Sequence, residues 1–243
     1  MIVLIITAVR VKSMDSHRIS GRILAENIAG PGMMRLVEQS MQAQAQKTSV
    51  TEIAVKEWKH PQAALTFDDG PDIRYTPLLL DGLKERNVRV SFFLLGEKVE
   101  QYPELVERMQ KEGHLVGNHT YHHVQLNKLN ETKAREEILK TNNLIYETTG
   151  VYPLYLRPPF GAWKKNLELC VEMLPVFWTI DTLDWKVKNT EKIVRTVKEQ
   201  IEDGAIILMH DEYDTSVEAA LQVVDELKNQ GYELVTVDQL ILP

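Results

Sequence analysis

The sequence predicts an α/β fold in which a mainly parallel sheet closes, or nearly closes, into a barrel. Seven short apolar runs typical of strands alternate with amphipathic segments of helical length from residue 62 onward. Such repeated βα units build parallel sheets. The turn after the first run reads Asp-Asp-Gly-Pro, which is chemically opposite to a glycine-rich anion cradle. This turn disfavours a doubly wound nucleotide-binding sheet, which stays the alternative fold.

The predicted elements follow one another in order from the first strand to the end of the chain. The strands are predicted at residues 62–67, 88–95, 114–117, 153–156, 176–180, 205–210 and 232–237. The helices between them are predicted from apolar spacing at residues 75–87, 102–112, 131–149, 164–173, 190–202 and 216–230. Seven strands over about 180 residues suit a barrel better than an open sheet.

The first part of the chain differs from this pattern, so we predict an N-terminal extension at 1–58 and a catalytic domain at 59–243. Residues 1–9 read MIVLIITAV, an uncharged run that is shorter than the roughly 20 apolar residues needed to cross a bilayer. It also lacks the preceding basic segment of a secretory signal. Two interpretations stay open: the remaining half of a signal anchor that starts further upstream, which would attach the protein to a membrane, or a buried β-strand.

The composition excludes several classes of function. The 243 residues contain 28 Lys and Arg against 35 Asp and Glu, a formal charge of −7. Nucleic-acid binding is not expected, because a phosphate-backbone binder would show a basic surface. The single cysteine, Cys170, excludes an internal disulfide and Cys-based zinc fingers. No feature of the sequence indicates a protein partner.

Polar residues gather where the predicted strands end, although the strands themselves are apolar. They are Asp68, Asp69, His119, His122, His123, Arg157, Asp181, Asp184, His210 and Asp211. In parallel α/β barrels the active site lies at the carboxyl ends of the strands. A single histidine or aspartate after a strand is more often a turn residue, but equivalent positions on several strands indicate an active site.

Three of these residues suit a divalent metal ion. Asp69, His119 and His123 supply one carboxylate and two imidazoles, and the i, i+4 spacing of the histidines predicts that both lie on one face of a helical turn. This donor set fits zinc or another borderline ion such as cobalt. His122 is a competing ligand, but it lacks the i, i+4 spacing.

The other strand-end residues suit proton transfer. Asp68 could act as a base on water, with Arg157 holding it ionised through a bidentate contact. His210 could protonate a leaving group, with Asp181 orienting its imidazole. Together with a metal ion, this set predicts hydrolysis of a neutral acyl bond.

Five motifs carry a family resemblance. They are TFDDGP (66–71), NHTYHH (118–123), RPPFG (157–161), DTLDW (181–185) and ILMHD (207–211). In this order they resemble the motifs of NodB-type polysaccharide deacetylases, carbohydrate esterase family 4, over about residues 60–243. The resemblance implies a distorted (β/α)7 barrel of the NodB type that removes acetyl groups from N-acetylated sugars.

The resemblance also implies a role for each matching residue. Asp68 would be the base, Arg157 would orient it, and His210 would be the acid that Asp181 tunes. The implied ligands of one divalent ion, zinc or cobalt, are Asp69, His119 and His123. The implied substrate-binding residues are Pro159, Phe160, Trp185 and Leu208.

The resemblance implies an N-acetylated glycan as the substrate. Peptidoglycan N-acetylglucosamine or N-acetylmuramic acid, chitin oligomers and other envelope polymers all fit. The apolar start before the domain resembles bacterial cell-envelope members, which favours peptidoglycan and an extracytoplasmic location, secreted or membrane-anchored.

Two rival functions start from the same residues. A non-haem iron oxygenase also uses two histidines and one carboxylate, but it leaves Asp68, Arg157 and His210 unexplained. A catalytically silent carbohydrate-binding module could retain the fold, although every implied catalytic position is filled here.

Overall fold

A computed structural model describes residues 60–163 and 173–241. The predicted extension at 1–58, the domain boundary that follows it and most of the predicted helix at 164–173 lie outside the described residues. Among the described residues, every helix is too short or too polar to cross a membrane.

The described residues contain eight short strands and eight helices. The strands are β1 (Gln62–Asp68), β2 (Ser91–Leu94), β3 (Leu115–Asn118), β4 (Tyr155–Leu156), β5 (Leu174–Pro175), β6 (Ile180–Asp181), β7 (Ala205–His210) and β8 (Glu233–Leu234). The helices are α1 (Thr76–Glu85), α2 (Gly96–Gln101), α3 (Pro103–Lys111), α4 (Glu131–Thr149), α5 (Asp184–Val187), α6 (Thr190–Gln200), α7 (Asp214–Asn229) and α8 (Val237–Ile241). Two single 3-10 turns are added at Leu126–Lys128 and Pro159–Gly161.

All strand pairs are parallel, in the order β5-β4-β3-β2-β1-β7-β6, and β8 pairs with the first residues of β1. The two ends of this order lie close together in the chain. Val176 N–H donates to Leu156 O on β4 at 2.8 Å, and Thr179 N–H donates to Ile206 O on β7 at 2.9 Å. Residues 174–181 therefore join both ends of the sheet, and the barrel is nearly closed.

The main core lies between the sheet and the helices that surround it. Every residue of β1 is buried, as expected for a central parallel strand that is covered on both faces. Phe67 of β1 stacks on Phe92 of β2 with ring centroids 5.4 Å apart. Apolar residues of α1, α3, α6 and α7 complete this cluster, including Leu79, Met109, Ile193 and Val223.

The predicted elements differ from the observed ones mainly where the chain closes the barrel. The apolar run 176–180 predicts one strand, but only its last residue belongs to β6 because the run crosses from β4 to β7. The run 232–237 splits into β8 and the start of α8, with Thr236 N–H accepted by the Gln239 side chain at 3.2 Å. The short helices α2 and α5 have no sequence prediction.

Candidate active site and metal centre

The register of the strands brings the predicted site residues to the carboxyl edge of the sheet. Asp68, the last residue of β1, lies opposite His210, the last residue of β7. On the other side of β1 the neighbour of Asp68 is Phe93 of β2. Asn118, which precedes His119, is paired with Leu94 and Leu156. The polar strand ends of the sequence therefore form one site.

Asp68 is held by a buried arginine. Arg157 Nη1 donates to Asp68 Oδ1 at 2.8 Å and to Thr66 Oγ1 at 2.7 Å, and the Thr66 hydroxyl donates to Ile207 O at 2.7 Å. Arg157 is fully buried, with Cζ 4.2 Å from the ring centroid of Phe93. The predicted contact between Arg157 and Asp68 is therefore present, but its predicted bidentate form is wrong: only Nη1 reaches the carboxylate, and Nη2 is buried without a hydrogen-bond partner among the described residues.

Burial and the arginine act on Asp68 in opposite directions. Burial raises the pKa of Asp68, because a desolvated carboxylate is less stable than its protonated form. The charge and hydrogen bond of Arg157 lower that pKa and so oppose the effect of burial. On balance the pKa of Asp68 is raised, so its carboxylate is a stronger base than one in water.

Asp69, His119 and His123 form a cluster of the size that a metal ion needs. Their ligand atoms all lie within 4.8 Å of one another. Asp69 Oδ1 lies 3.4 Å from the Nε2 atoms of both histidines. This oxygen is buried and has no hydrogen-bond partner among the described residues. A buried acceptor that faces two imidazoles fits a divalent cation, and the mixed nitrogen and oxygen donors suit zinc.

The hydrogen bond of His119 directs its other nitrogen to this cluster. His119 Nδ1 lies 2.6 Å from Arg157 O. Because a carbonyl oxygen only accepts, Nδ1 carries the proton and Nε2 keeps its lone pair. Burial lowers the pKa of His119 to about 3. The imidazole is therefore neutral at physiological pH, as a metal ligand must be.

The loop that carries both histidines is not the helical turn that the i, i+4 spacing predicts. β3 ends at Asn118, and Thr120 and His123 have left-handed backbone angles, with φ of 68° and 55°. Asn118 Oδ1 accepts from Thr120 N–H at 2.6 Å and stabilises this conformation. The two rings still meet, with centroids 5.1 Å apart, because the loop folds back by positive φ angles.

His122 turns away from the metal cluster. Its Nδ1 lies 2.8 Å from Glu137 Oε1 of α4, and the other oxygen of Glu137 accepts from the backbone N–H groups of Tyr121 and His122. The His122 side chain is 59% exposed. Glu137 thus stabilises the loop away from the ligand residues. His122, the competing ligand in the sequence prediction, does not belong to the metal cluster.

The predicted contact between Asp181 and His210 is wrong, because Asp184 occupies that position. His210 Nδ1 lies 2.8 Å from Asp184 Oδ1, and His210 backbone N–H donates to Asp184 Oδ2 at 2.8 Å. Asp184 is fully buried. Asp181 Oδ1 instead accepts from Leu183 N–H at 2.9 Å. Asp181 therefore shapes the turn, and this turn places Asp184 beneath the imidazole.

The carboxylate changes the protonation of His210. Burial opposes the charged imidazolium, but the hydrogen bond to Asp184 and the charges of Asp184, Asp68 and Asp69 raise the pKa of His210 to about 9. Its Nε2 lies 3.8 Å from Asp69 Oδ2. A protonated nitrogen therefore points into the site beside the metal cluster.

The four predicted substrate-binding residues lie around the same edge. Phe160 has a left-handed backbone, with φ of 59°, and is 62% exposed. Its ring centroid lies 4.5 Å from that of His123. Trp185 in α5 is 48% exposed. Pro159 and Leu208 are buried. The exposed Phe160 ring beside the ligand residue His123 suits contact with a sugar ring, and the role of all four residues stays a prediction.

Comparison with known proteins matches this chain to a group of deacetylases. The family model described as polysaccharide deacetylase matches residues 56–176. The peptidoglycan-N-acetylglucosamine deacetylase PgdA of Listeria monocytogenes is 43% identical over 177 residues, covering 73% of this chain and 38% of that protein. A peptidoglycan-N-acetylglucosamine deacetylase of Bacillus cereus is 40% identical over 186 residues, covering 74% of this chain and 68% of that protein.

A third relative supports both the sequence match and the fold. The peptidoglycan-N-acetylmuramic acid deacetylase PdaC of Bacillus subtilis is 43% identical over 177 residues, again 38% of its length. The matched region thus spans well under half of PgdA and PdaC. The solved structure of PdaC superposes with a TM-score of 0.73 at 42% identity, covering 75% of this chain and 90% of that one. This match confirms the predicted distorted (β/α)7 barrel.

Proposed function

Because the chain belongs to the polysaccharide deacetylase family, we propose that it removes N-acetyl groups from peptidoglycan amino sugars by metal-dependent hydrolysis. One observation carries this proposal. Two hydrogen-bonded pairs, Asp68 with Arg157 and His210 with Asp184, both border the cluster of Asp69, His119 and His123. A base and an acid beside a metal cluster are what the hydrolysis of an amide requires.

Asp69, His119 and His123 are the residues that would hold one divalent ion, zinc or cobalt. When bound, such an ion polarises the acetyl carbonyl and lowers the pKa of water. The neutral state of His119 and the unpartnered Asp69 oxygen support this assignment. Arg157 links the cluster to the base, since its carbonyl orients His119 while its guanidinium holds Asp68.

Asp68 is the proposed base for the attacking water. Its Oδ1 is held by Arg157, while Oδ2 lies 3.7 Å from His119 Nε2 and faces the cluster. The fixed Oδ1 leaves Oδ2 as the atom that accepts the proton. Thr66 Oγ1 accepts a second hydrogen bond from Arg157 Nη1. This contact fixes the guanidinium and therefore the direction in which Asp68 Oδ2 points.

His210 is the proposed acid for the departing amine. Its Nδ1 is engaged by Asp184, so Nε2 is the atom that donates its proton to the sugar nitrogen as the C–N bond breaks. The raised pKa of about 9 keeps this proton in place at neutral pH. Acetate and the free amine are then the products, and the base and acid have each transferred one proton.

The substrate proposal draws on the printed names of the relatives. PgdA and the Bacillus cereus protein are named for N-acetylglucosamine and PdaC for N-acetylmuramic acid, the two sugars of one polymer. Pro159, Phe160, Trp185 and Leu208 would bind the glycan beside the cluster. Because this polymer lies outside the cytoplasmic membrane, we place the protein in the cell envelope.

The proposal is tested by acetate release from muropeptides, chitooligosaccharides and acetylated xylan with zinc-loaded protein. We expect release from muropeptides at the highest rate. Asp68→Asn should lower kcat by roughly 10²- to 10⁴-fold, the usual effect of general acid–base residues, with its zinc content unchanged. His119→Ala should lose zinc. Full turnover by Asp68→Asn, or activity only under oxygen with iron, would contradict the proposed hydrolysis, and glycan binding without any acetate release would indicate a silent module.

A further inference from the structure

One buried carboxyl at the site has no role in the proposed chemistry. Asp211 follows His210 at the end of β7, and it is fully buried. Its Oδ1 has no hydrogen-bond partner among the described residues. Burying a carboxyl group with an unsatisfied oxygen destabilises a protein. The contacts of Asp211 therefore need an explanation.

Asp211 is bonded to the loop that follows β1. The hydroxyl of Thr76, which is fully buried at the start of α1, donates to Asp211 Oδ2. Thr76 Oγ1 also accepts from Asp72 N–H at 2.8 Å. One hydroxyl thus joins the end of β7 to the β1–α1 loop, which begins directly after Asp68.

Asp211 also touches the same loop through Gly70. A Cβ atom on Gly70 would lie 2.5 Å from Asp211 Oδ1 and 2.9 Å from Oδ2. The carboxyl group therefore packs directly against the Gly70 α-carbon, a contact that any side chain there would displace. On its other side, Gly70 O accepts from Leu95 N–H at 3.2 Å. Gly70 is held between β7 and the end of β2.

The neighbour of Gly70 is the proposed metal ligand Asp69, and its backbone is strained. Asp69 has φ of 68°, in the left-handed region that residues other than glycine seldom adopt. Such a conformation persists only when the surrounding structure holds it. Among the surrounding groups, Asp211 holds the loop at two points, Gly70 and Thr76.

We propose that Asp211 is a positioning residue that sets the metal affinity of the site by fixing the Asp69–Gly70 turn through Gly70 and Thr76. The inference rests on the metal site of the proposed function. Asp211 itself does not belong to the ligand cluster, so it acts through the backbone of the loop. Residues that orient metal ligands typically contribute 10- to 100-fold in affinity.

The test replaces the hydroxyl that joins Asp211 to the loop. Thr76→Val keeps the volume but removes the hydrogen bond, and Thr76→Ser keeps the hydrogen bond as the matched control. Zinc affinity is measured by competition with a chromogenic chelator, and the coordination geometry by the visible spectrum of the cobalt-loaded protein. We expect zinc to bind roughly 10- to 100-fold more weakly to Thr76→Val, with a changed cobalt spectrum, and Thr76→Ser to retain both properties.

A purely structural role would give a different result. Thr76→Val would then lower Tm but bind zinc as the natural chain does, an outcome that overturns the inference and leaves the proposed function intact. If the natural chain itself binds no zinc or cobalt, the metal site of the proposed function fails, and the inference fails with it. Should Thr76→Val not fold, Asp211→Asn provides the same comparison, and unchanged zinc affinity there overturns the inference.

Discussion

Two largely buried histidines at opposite ends of the sheet have opposite protonation behaviour. His210 ends β7 at the carboxyl edge, and its pKa is raised to about 9. His114 directly precedes β3 at the amino edge and is 4% exposed, and burial lowers its pKa to about 4. Burial by itself lowers both values, since it disfavours the charged imidazolium. The neighbours of each ring decide the difference.

The partner of Nδ1 separates the two rings. The carboxylate of Asp184 accepts a hydrogen bond from His210 Nδ1–H at 2.8 Å and stabilises the imidazolium cation. His114 Nδ1 instead accepts the backbone N–H of Val90 at 3.1 Å, which requires an unprotonated nitrogen. Glu112 lies 4.0 Å from His114 Nε2, and its favourable charge is outweighed by desolvation. At the carboxyl edge the carboxylate beside His210 favours the protonated form that the proposed acid needs, while His114 at the amino edge is a neutral core residue.

The largest expected effect separates the two histidines by catalysis. His210→Gln should lower kcat by roughly 10²- to 10⁴-fold because the leaving amine loses its proton donor. His114→Gln, the matched variant at the amino edge, should change kcat by less than about threefold, in line with a site remote from the chemistry. Acetate release under saturating substrate measures both. Equal losses in the two variants would show that the difference between the edges is not catalytic.

Acid stability is the next effect, and it belongs to His114. Its pKa is about 4 in the folded chain and about 6.5 when unfolded. Between these values the unfolded chain binds more protons, so the free energy of unfolding falls as pH drops from about 6.5 to about 4. The contribution of this group is on the order of 2–3 kcal/mol. Urea unfolding at several pH values should show that the free energy of unfolding depends less steeply on pH for His114→Gln than for the natural chain. Identical slopes of free energy against pH would contradict the assignment.

A smaller effect distinguishes the two aspartates of the DTLDW motif. The His210 imidazolium should lose its proton as pH rises through about 9, and kcat should fall there. Asp184→Asn removes the charge that raises the pKa of His210. The fall of kcat at alkaline pH, the alkaline limb of the pH profile, should therefore move to lower pH, with roughly tenfold less activity than the natural chain at pH 8.5. Asp181→Asn should leave the limb in place because Asp181 contacts Leu183 N–H. A shift in the Asp181 variant would restore the original sequence prediction.

The smallest expected effect concerns a third histidine, which is exposed. His122 contacts Glu137 away from the ligand cluster, so His122→Ser should change zinc affinity by less than about threefold, as surface substitutions usually do. His119→Ala should abolish zinc binding under the same chelator competition. Loss of zinc from the His122 variant would identify it as a ligand after all.

Much of the molecule follows from local sequence pattern. The buried strand β1, the long helix α4 and the terminal positions of Asp68 and His210 were all predictable, because apolar periodicity reports burial and polar residues at strand ends report the edge of a parallel sheet. The interruption between β5 and β6 was not predictable, because the run 176–180 contains no glycine or proline that would mark a break and only the closure of the barrel divides it.

The choice between neighbours of the same type also needed the folded chain. Asp181 and Asp184 lie in one motif and offer identical chemistry, and so do the adjacent His122 and His123, between which only the spacing from His119 favoured His123. Left-handed backbone angles at Thr120, His123 and Leu183 determine where these side chains point. In the histidine loop these angles are stabilised both locally, by the Asn118 side chain on Thr120 N–H, and from a separate element, by Glu137 of α4 on Tyr121 N–H.

The sequence by itself therefore determined the barrel, the edge at which the site lies and the types of side chain that meet there. Only the tertiary structure decided that Asp184 supports His210, that His122 turns to Glu137, and that Asp211 reaches Gly70 and Thr76 across the end of the sheet. The physical reason is range. Periodicity and residue chemistry act along the chain, whereas a hydrogen bond such as that of Thr76 to Asp211, which are 135 positions apart, forms only when the sheet sets the two residues side by side.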